Sequence, residues 1–269
     1  MDSLVHNVED LLRQVAEQEI LTRFGKLQPS DIFRKSEHGD LVTVADLEAE
    51  NRIREGLLKL VPDSVVVGEE DAFKSPDILD KLHGDQAVWV VDPVDGTGNF
   101  AKGKPCFAVM CALIEGGETQ MGWILDPVAG ACITARLGQG TYLEGQRLTI
   151  SPPLDGLKSM TGSLGEGLQK RLAKKGPHNR PERIVRYRCV GREYMDLVLG
   201  KLHFALYGGK MMPWDHAAGT LMVAEAGGIA RTMIENQAYS PVHFGYGERL
   251  LMASDEASFD ALVPILTEK

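Results

Sequence analysis

Two aspartates three positions apart, Asp92 and Asp95, lie in the stretch Trp89-Val90-Val91-Asp92-Pro93-Val94-Asp95-Gly96-Thr97-Gly98-Asn99-Phe100. The apolar run from Ala87 to Val91 has the β-branched and aromatic content of a buried strand. Pro93 cannot donate to a sheet ladder, so the strand is expected to stop at Asp92. Gly96 permits a sharp turn and a close approach of backbone to ligand. Thr97-Gly98-Asn99 can then open a helix or tight loop with free N–H groups. Two carboxylates at a strand end beside exposed amides can hold hard cations and a phosphate together. Taken alone, the Asp-x-x-Asp spacing fits an ordinary turn as well.

Further acidic residues stand at the edges of other elements. Glu69 and Glu70 follow a valine strand and Gly68, where a solvated loop pair is the plain alternative. Asp46 opens one helix, and Asp215, after Pro213-Trp214, opens another; helix capping would account for each by itself. His216 beside Asp215 reads as a packed or capping residue, because hard cations favour oxygen ligands. Met211, Met212 and Met222 read as core or interface fillers. Arg186 and Arg188 alternate on a strand candidate and read as one solvated face.

The elements that must position these groups follow from periodicity. Leu11, Leu12, Val15, Ile20, Leu21 and Phe24 recur at helical spacing between Val8 and Phe24. A turn is expected over Lys35 to Asp40, a short strand over Leu41 to Val44, and a helix from Asp46 to Leu60. Val65 to Val67 is a strand, and Phe73 to Asp85 a surface excursion. After the central stretch, Cys106 to Ile114, Gln120 to Leu125 and Ala131 to Ala135 form a meander, with a hairpin turn at Glu115-Gly116-Gly117-Glu118. A helical start followed by a meander makes the first part α+β with an antiparallel sheet.

Ser151-Pro152-Pro153 is the boundary candidate, dividing the chain into 1–150 and 151–269. Beyond it come a helix over Gly165 to Lys175, a loop over Gly176 to Asn179, and a strand over Arg183 to Cys189. Helices over Glu193 to Gly200, Asp215 to Ala226 and Ser254 to Leu266 then alternate with strands over His203 to Tyr207, Ile229 to Ile234 and Leu250 to Ala253. That alternation makes the second half α/β.

Composition narrows the class. With 269 residues, 43% hydrophobic and 25% charged, the chain can bury a large core and shows neither disorder nor membrane character. A net charge of -9 argues against a general nucleic-acid binder, though metal ions can reverse the sign of an acidic pocket. No signal-peptide pattern opens the sequence, and no apolar run is long enough to span a membrane. Cys106, Cys111, Cys132 and Cys189 have neither zinc-finger nor redox spacing and read as buried reduced thiols, consistent with the cytoplasm.

Taken in order, Leu41-Val42-Thr43-Val44-Ala45-Asp46, Gly68-Glu69-Glu70, Asp92-Pro93-Val94-Asp95-Gly96-Thr97, Trp214-Asp215 with Gly219, and Glu225-Ala226-Gly227-Gly228 resemble the signatures of the inositol monophosphatase family. The likeness runs from about Lys35 to Gly228. It implies a layered αβαβα sugar-phosphatase sandwich, a homodimer, and Mg²⁺-dependent, lithium-sensitive hydrolysis of a small phosphate monoester. Inositol 1-phosphate is the default substrate. The alternatives are 3′-phosphoadenosine 5′-phosphate, fructose 1,6-bisphosphate and histidinol phosphate.

Carried over by position, Glu69, Asp92 and the Val94 carbonyl would hold one Mg²⁺. Asp92 would bridge to a second, completed by Asp95 and Asp215, and a third would sit near Glu69. Asp46 and Thr97 would position and deprotonate the attacking water, the Gly96 and Thr97 N–H groups would hold the phosphate, and Lys35 would stand near the entrance. Two departures bear on substrate. Gly98 stands where a second threonine is common, and Gly208, ahead of Lys210, stands where animal members carry an inositol-binding glutamate. Arg192, Glu193, Tyr194 or Lys210 could shape the leaving-group pocket instead; equally, Arg192 and Glu193 could be a surface pair. A regulatory contact with RNA synthesis machinery, attributed to some bacterial relatives, is another reading, which the acidic composition does not support. A Ca²⁺-stabilised structural domain fits less well, because the carboxylates are dispersed along the chain.

Overall fold

The computed structural model describes residues 3–35, 40–174, 176, 180–243 and 248–267. Ser36 to Gly39 of the expected first turn, and Pro177 to Asn179 of the expected basic-flanked loop, lie outside the described residues.

Helix α1 (Ser3–Val15) runs on through a wider turn at Ala16–Leu21, then strands β1 (Ile32–Arg34) and β2 (Leu41–Thr43) pair antiparallel. Helix α2 (Val44–Leu60) leads to β3 (Val65–Gly68), α3 (Glu69–Lys74), β4 (Val88–Asp95) and the short α4 (Thr97–Phe100). The meander follows as β5 (Ala108–Glu115), β6 (Glu118–Asp126), β7 (Ala131–Arg136), β8 (Gly140–Leu143) and β9 (Gln146–Leu148). Gly116 and Gly117, both at positive φ, make the two-residue turn between β5 and β6. Strands β3 to β9 form a seven-stranded sheet in sequence order, antiparallel except for the parallel pair β3–β4.

The second half contains β10 (Thr161–Ser163), α5 (Glu166–Leu172), β11 (Arg183–Val185), α6 (Val190–Val198), β12 (Phe204–Gly208), α7 (Pro213–Glu225), β13 (Ile229–Thr232), β14 (Arg249–Ala253) and α8 (Glu256–Thr267). Its strands make a five-stranded sheet in the order β11-β10-β12-β14-β13.

Side-chain alternation turns these elements into layers. Trp89 and Val91 face one way and pack with Leu12, Ile53 and Leu57 of α1 and α2. Val88 and Val90 face the other way and pack with Tyr194, Ala218 and Met222 of α6 and α7. The far side of those two helices meets Ala205, Leu250 and Met252 of the second sheet. Leu206, Leu251 and Ala253 point away from it, toward Leu172 of α5 and Leu262 and Leu266 of α8. The order is therefore helices, sheet, helices, sheet, helices, the expected αβαβα sandwich. Close approach sets one contact in it: a Cβ at Gly122 of β6 would come within 2.8 Å of the Ala218 backbone in α7.

Three expectations change at their ends. Strand β4 continues through Pro93 to Asp95, with a bulge where Asp92 opposes Met110 and Asp95 opposes Ala108. Pairing with β3 ends at Val91, so Pro93 faces no ladder on that side and its missing N–H is harmless. Glu69 and Glu70 do not sit in a loop; they open α3. The strand expected to reach Cys189 stops at Val185, and Arg188 takes a left-handed backbone at φ 57°.

Candidate active site

The bulge at the end of β4 exposes the ends of several elements to one another. Asp92, 3% exposed, directs Oδ1 to the Val94 N–H at 2.9 Å. Asp95 accepts from the Gly191 N–H at 2.6 Å and from the Cys189 thiol at 3.1 Å through Oδ2. A Cβ at Gly191 would come within 2.9 Å of the Ala108 Cβ and 3.2 Å of that same oxygen, so glycine is favoured at the start of α6.

Asp46 takes part in capping α2, though not as the cap itself. Thr43 caps α2, and Asp46, at its third position, accepts from the Thr43 N–H (2.9 Å) and hydroxyl (2.5 Å) to complete a capping box. Its other oxygen lies 3.0 Å from the Thr97 hydroxyl, which is also 3.0 Å from the Val94 carbonyl. Thr97 has one proton to share between them. Asp215 is not the cap of α7, which falls at Met212; it sits in the first helical turn, where the macrodipole favours a negative charge.

These carboxylates share one electrostatic field. Burial, then Glu69, Asp95, Asp215 and Asp46 in turn, push the Asp92 carboxyl well above the usual range. Burial, then Glu69 and Asp95, do the same to Asp215. Burial raises Asp46 to about 6, Thr43 and Thr97 opposing the rise through hydrogen bonds. Lys35 answers part of this charge: its ammonium lies 2.7 Å from Glu69 and 2.6 Å from Glu70, with a side chain only 5% exposed.

Among the described residues no three His, Cys, Asp or Glu side chains stand as a ready ligand cluster. The backbone donors on Asp92 and Asp95 and the ammonium on Glu69 already take oxygens that a cation would use. The donor set is nevertheless oxygen-only and mutually repelling, with Asp92 and Asp95 buried and Glu69 and Asp215 half-buried, which fits a hard divalent ion such as Mg²⁺.

Beside Asp95 opens a cavity of about 370 Å³. Glu193 lies in its wall with Ser163, Tyr207 and Gly208, and Arg186 and Arg188 line it as well. The two arginines are exposed, as expected of a solvated face, and share Glu166 as an ion-pair partner. Arg192 turns away to Asp126 (2.5 Å) and Asp196 (3.3 Å), so it makes no surface pair with Glu193. Tyr194 is fully buried and meets His216 Nδ1 at 3.0 Å through its hydroxyl, placing both residues in the core. Lys210 lines a different cavity, with Thr232, Glu235 and Tyr239.

Two residues with structural roles here escaped the sequence reading. Glu50 of α2 accepts from the Glu70 and Asp71 N–H groups at 2.8 and 3.0 Å, capping α3 from outside. Asn99 donates to the carbonyls of Cys106, Tyr187 and Arg188, tying the turn after β4 to the arginine segment. Asn99 had a signal, as the polar residue that ends Gly-Thr-Gly-Asn; Glu50 had none in its own neighbourhood.

Fold and site together define a layered α/β protein built around a buried carboxylate centre. The sequence model of the inositol monophosphatase family matches residues 2–267, and the chain belongs to that family, whose members are phosphatases. A fructose-1,6-bisphosphatase/inositol-1-monophosphatase of Thermotoga maritima is 30% identical over 231 residues, covering 85% of this chain and 84% of the relative. The Nus factor SuhB of Pseudomonas aeruginosa is 33% identical over 225 residues, covering 77% and 78%. The solved Thermotoga maritima IMPase superposes with a TM-score of 0.83 at 25% identity, over 99% of this chain and 97% of that one.

Proposed function

We propose that the protein hydrolyses a small phosphate monoester with Mg²⁺, inositol 1-phosphate being the reference substrate. The observation that carries this reading is the common field of Glu69, Asp92, Asp95 and Asp215, brought from α3, β4 and α7, with the Asp46–Thr97 pair beside it. Those four carboxylates and the Val94 carbonyl would hold the metal ions. Bound Mg²⁺ supplies charge neutralisation at the phosphoryl and leaving oxygens and lowers the pKa of water.

The chain's own groups do the rest. The Thr97 hydroxyl takes a proton from the attacking water as it passes its own to Asp46, whose carboxyl, raised to about 6, is ionised at neutral pH and basic enough to receive it. The Gly96 and Thr97 N–H groups, where a left-handed Gly96 caps α4, would hold the phosphate. The cavity beside Asp95 takes the leaving alcohol. Arg186 and Arg188 on its wall favour, as a second reading, a leaving group that carries another phosphate, and the Thermotoga relative is named for a bisphosphatase activity as well.

The test is phosphate release by purified protein from a panel of phosphate esters with Mg²⁺, then with added Li⁺. Turnover that depends on Mg²⁺ and falls with Li⁺ is expected; release from none of the panel would refute the proposal.

A further inference from the structure

We infer that Glu193 is a specificity-determining residue, discriminating between leaving groups by accepting a hydrogen bond from a leaving-group hydroxyl. This rests on the phosphatase reading of the neighbouring carboxylates. Glu193 is 4% exposed yet lines the cavity that adjoins Asp95. Three donors from three segments hold its carboxylate: the Ser163 hydroxyl on β10 at 2.5 Å, the Tyr187 N–H at 3.3 Å, and the Tyr207 hydroxyl on β12.

A carboxylate offers about four acceptor sites, so three donors leave one for a ligand. Gly208, at the end of β12, lines the same wall without a side chain. Arg192, the neighbour in sequence, is engaged by Asp126 and Asp196 and does not neutralise Glu193. An aliphatic or aromatic alcohol would take the pocket without offering this acceptor a second hydroxyl. A cationic amine would face Arg186 and Arg188 within the same cavity. A neutral hydroxyl satisfies Glu193 without that repulsion.

Glu193→Ala and Glu193→Gln are compared with wild type on two substrates that keep hydroxyls, inositol 1-phosphate and glycerol 2-phosphate, and on p-nitrophenyl phosphate, which has none. Glu193→Ala is expected to lower kcat/KM for the polyol esters about 10- to 100-fold and that for p-nitrophenyl phosphate by less than about threefold. Glu193→Gln keeps the volume and one acceptor oxygen, so its selective loss should be smaller, and it serves if the alanine variant does not fold. Binding of free myo-inositol, followed by ligand-observed NMR with no turnover, should be seen with wild type and lost in Glu193→Ala.

Equal losses on both substrate classes, or inositol binding that survives Glu193→Ala, would overturn the inference while leaving the phosphatase reading intact. Inositol binding that depends on Glu193, without hydrolysis of any ester, would overturn the phosphatase reading alone.

Discussion

Asp92 is held at the bulge in β4 with four other acidic groups acting on its charge, so ionisation there is opposed until a cation arrives. Replacing it with asparagine removes that opposition together with the charge and one of the two oxygens proposed to hold the metal. Asp92→Asn is therefore expected to lose at least about 100-fold in turnover. In chelator it should melt at or above the wild-type temperature, because a repelling buried charge has gone. Its stabilisation by added Mg²⁺ should shrink, which a thermal melt with and without the ion reads directly. Thr97 separates chemistry from metal binding. Thr97→Ser keeps the hydroxyl between Asp46 and Val94 and should retain most activity, whereas Thr97→Val should lose about 100-fold with the Mg²⁺-dependent rise in melting temperature preserved. Equal kinetics for the two variants would remove Thr97 from the proton path.

Helix α3 shows how one element holds a site residue in place. It opens on Glu69 with Gly68 as cap, and Gly68 has no side chain to accept from the first-turn amides. Glu50 supplies that acceptor from α2, and a Cβ at Gly68 would overlap the Glu50 carboxylate. Glu50→Ala should destabilise the fold by about 1–2 kcal/mol in denaturant unfolding and raise the Mg²⁺ concentration needed for half-maximal activity, because Glu69 loses its anchored helix. Unchanged values for both would show α3 to be held by other contacts. Such a cap is set by tertiary contact, which is why Gly68-Glu69-Glu70 reads from sequence as a loop. The buried strands and amphipathic helices were legible because their apolar periods are local: Val88 to Val91, Cys111 to Ile114 and Leu47 to Leu60 carry them outright. The acidic motifs were legible by spacing and order. The pocket wall was not, because Arg192 and Glu193 are adjacent in the chain and diverge only once α6 directs one toward Asp126 and the other toward Ser163. Likewise, nothing local announces that Arg188 will leave the extended backbone and bring its side chain to the cavity.

At the scale of the whole molecule, the layer between the two sheets contains a group that ties stability to pH. His216 of α7 packs against the rings of Tyr194, Tyr207 and Tyr239 and meets the Tyr194 hydroxyl at 3.0 Å. Burial lowers its pKa to about 3, against an ordinary value of 6.5 that the unfolded chain regains. The unfolded state therefore binds a proton that the folded state refuses as the pH falls below about 6.5. The sign is destabilising toward acid: the neutral ring is at no disadvantage above that value, and the penalty grows as the pH drops toward 3. Its slope is roughly 1.4 kcal/mol per pH unit at most. The raised carboxyls of Asp92, Asp95 and Asp215 act in the opposite sense in metal-free protein, since the folded state binds their protons more readily. The two effects are separated by comparing wild type with His216→Asn in chelator, where the carboxylate contribution is common to both and cancels. Denaturant unfolding from pH 8 to pH 5 should show the wild type losing stability relative to the variant below about pH 6.5, the gap changing by roughly 1 kcal/mol or more over the last unit. A gap independent of pH would mean that the layer between the sheets opens enough for the ring to titrate as it does in water, and the packing of α7 against both sheets would need to be looser than the Tyr194–His216 contact describes.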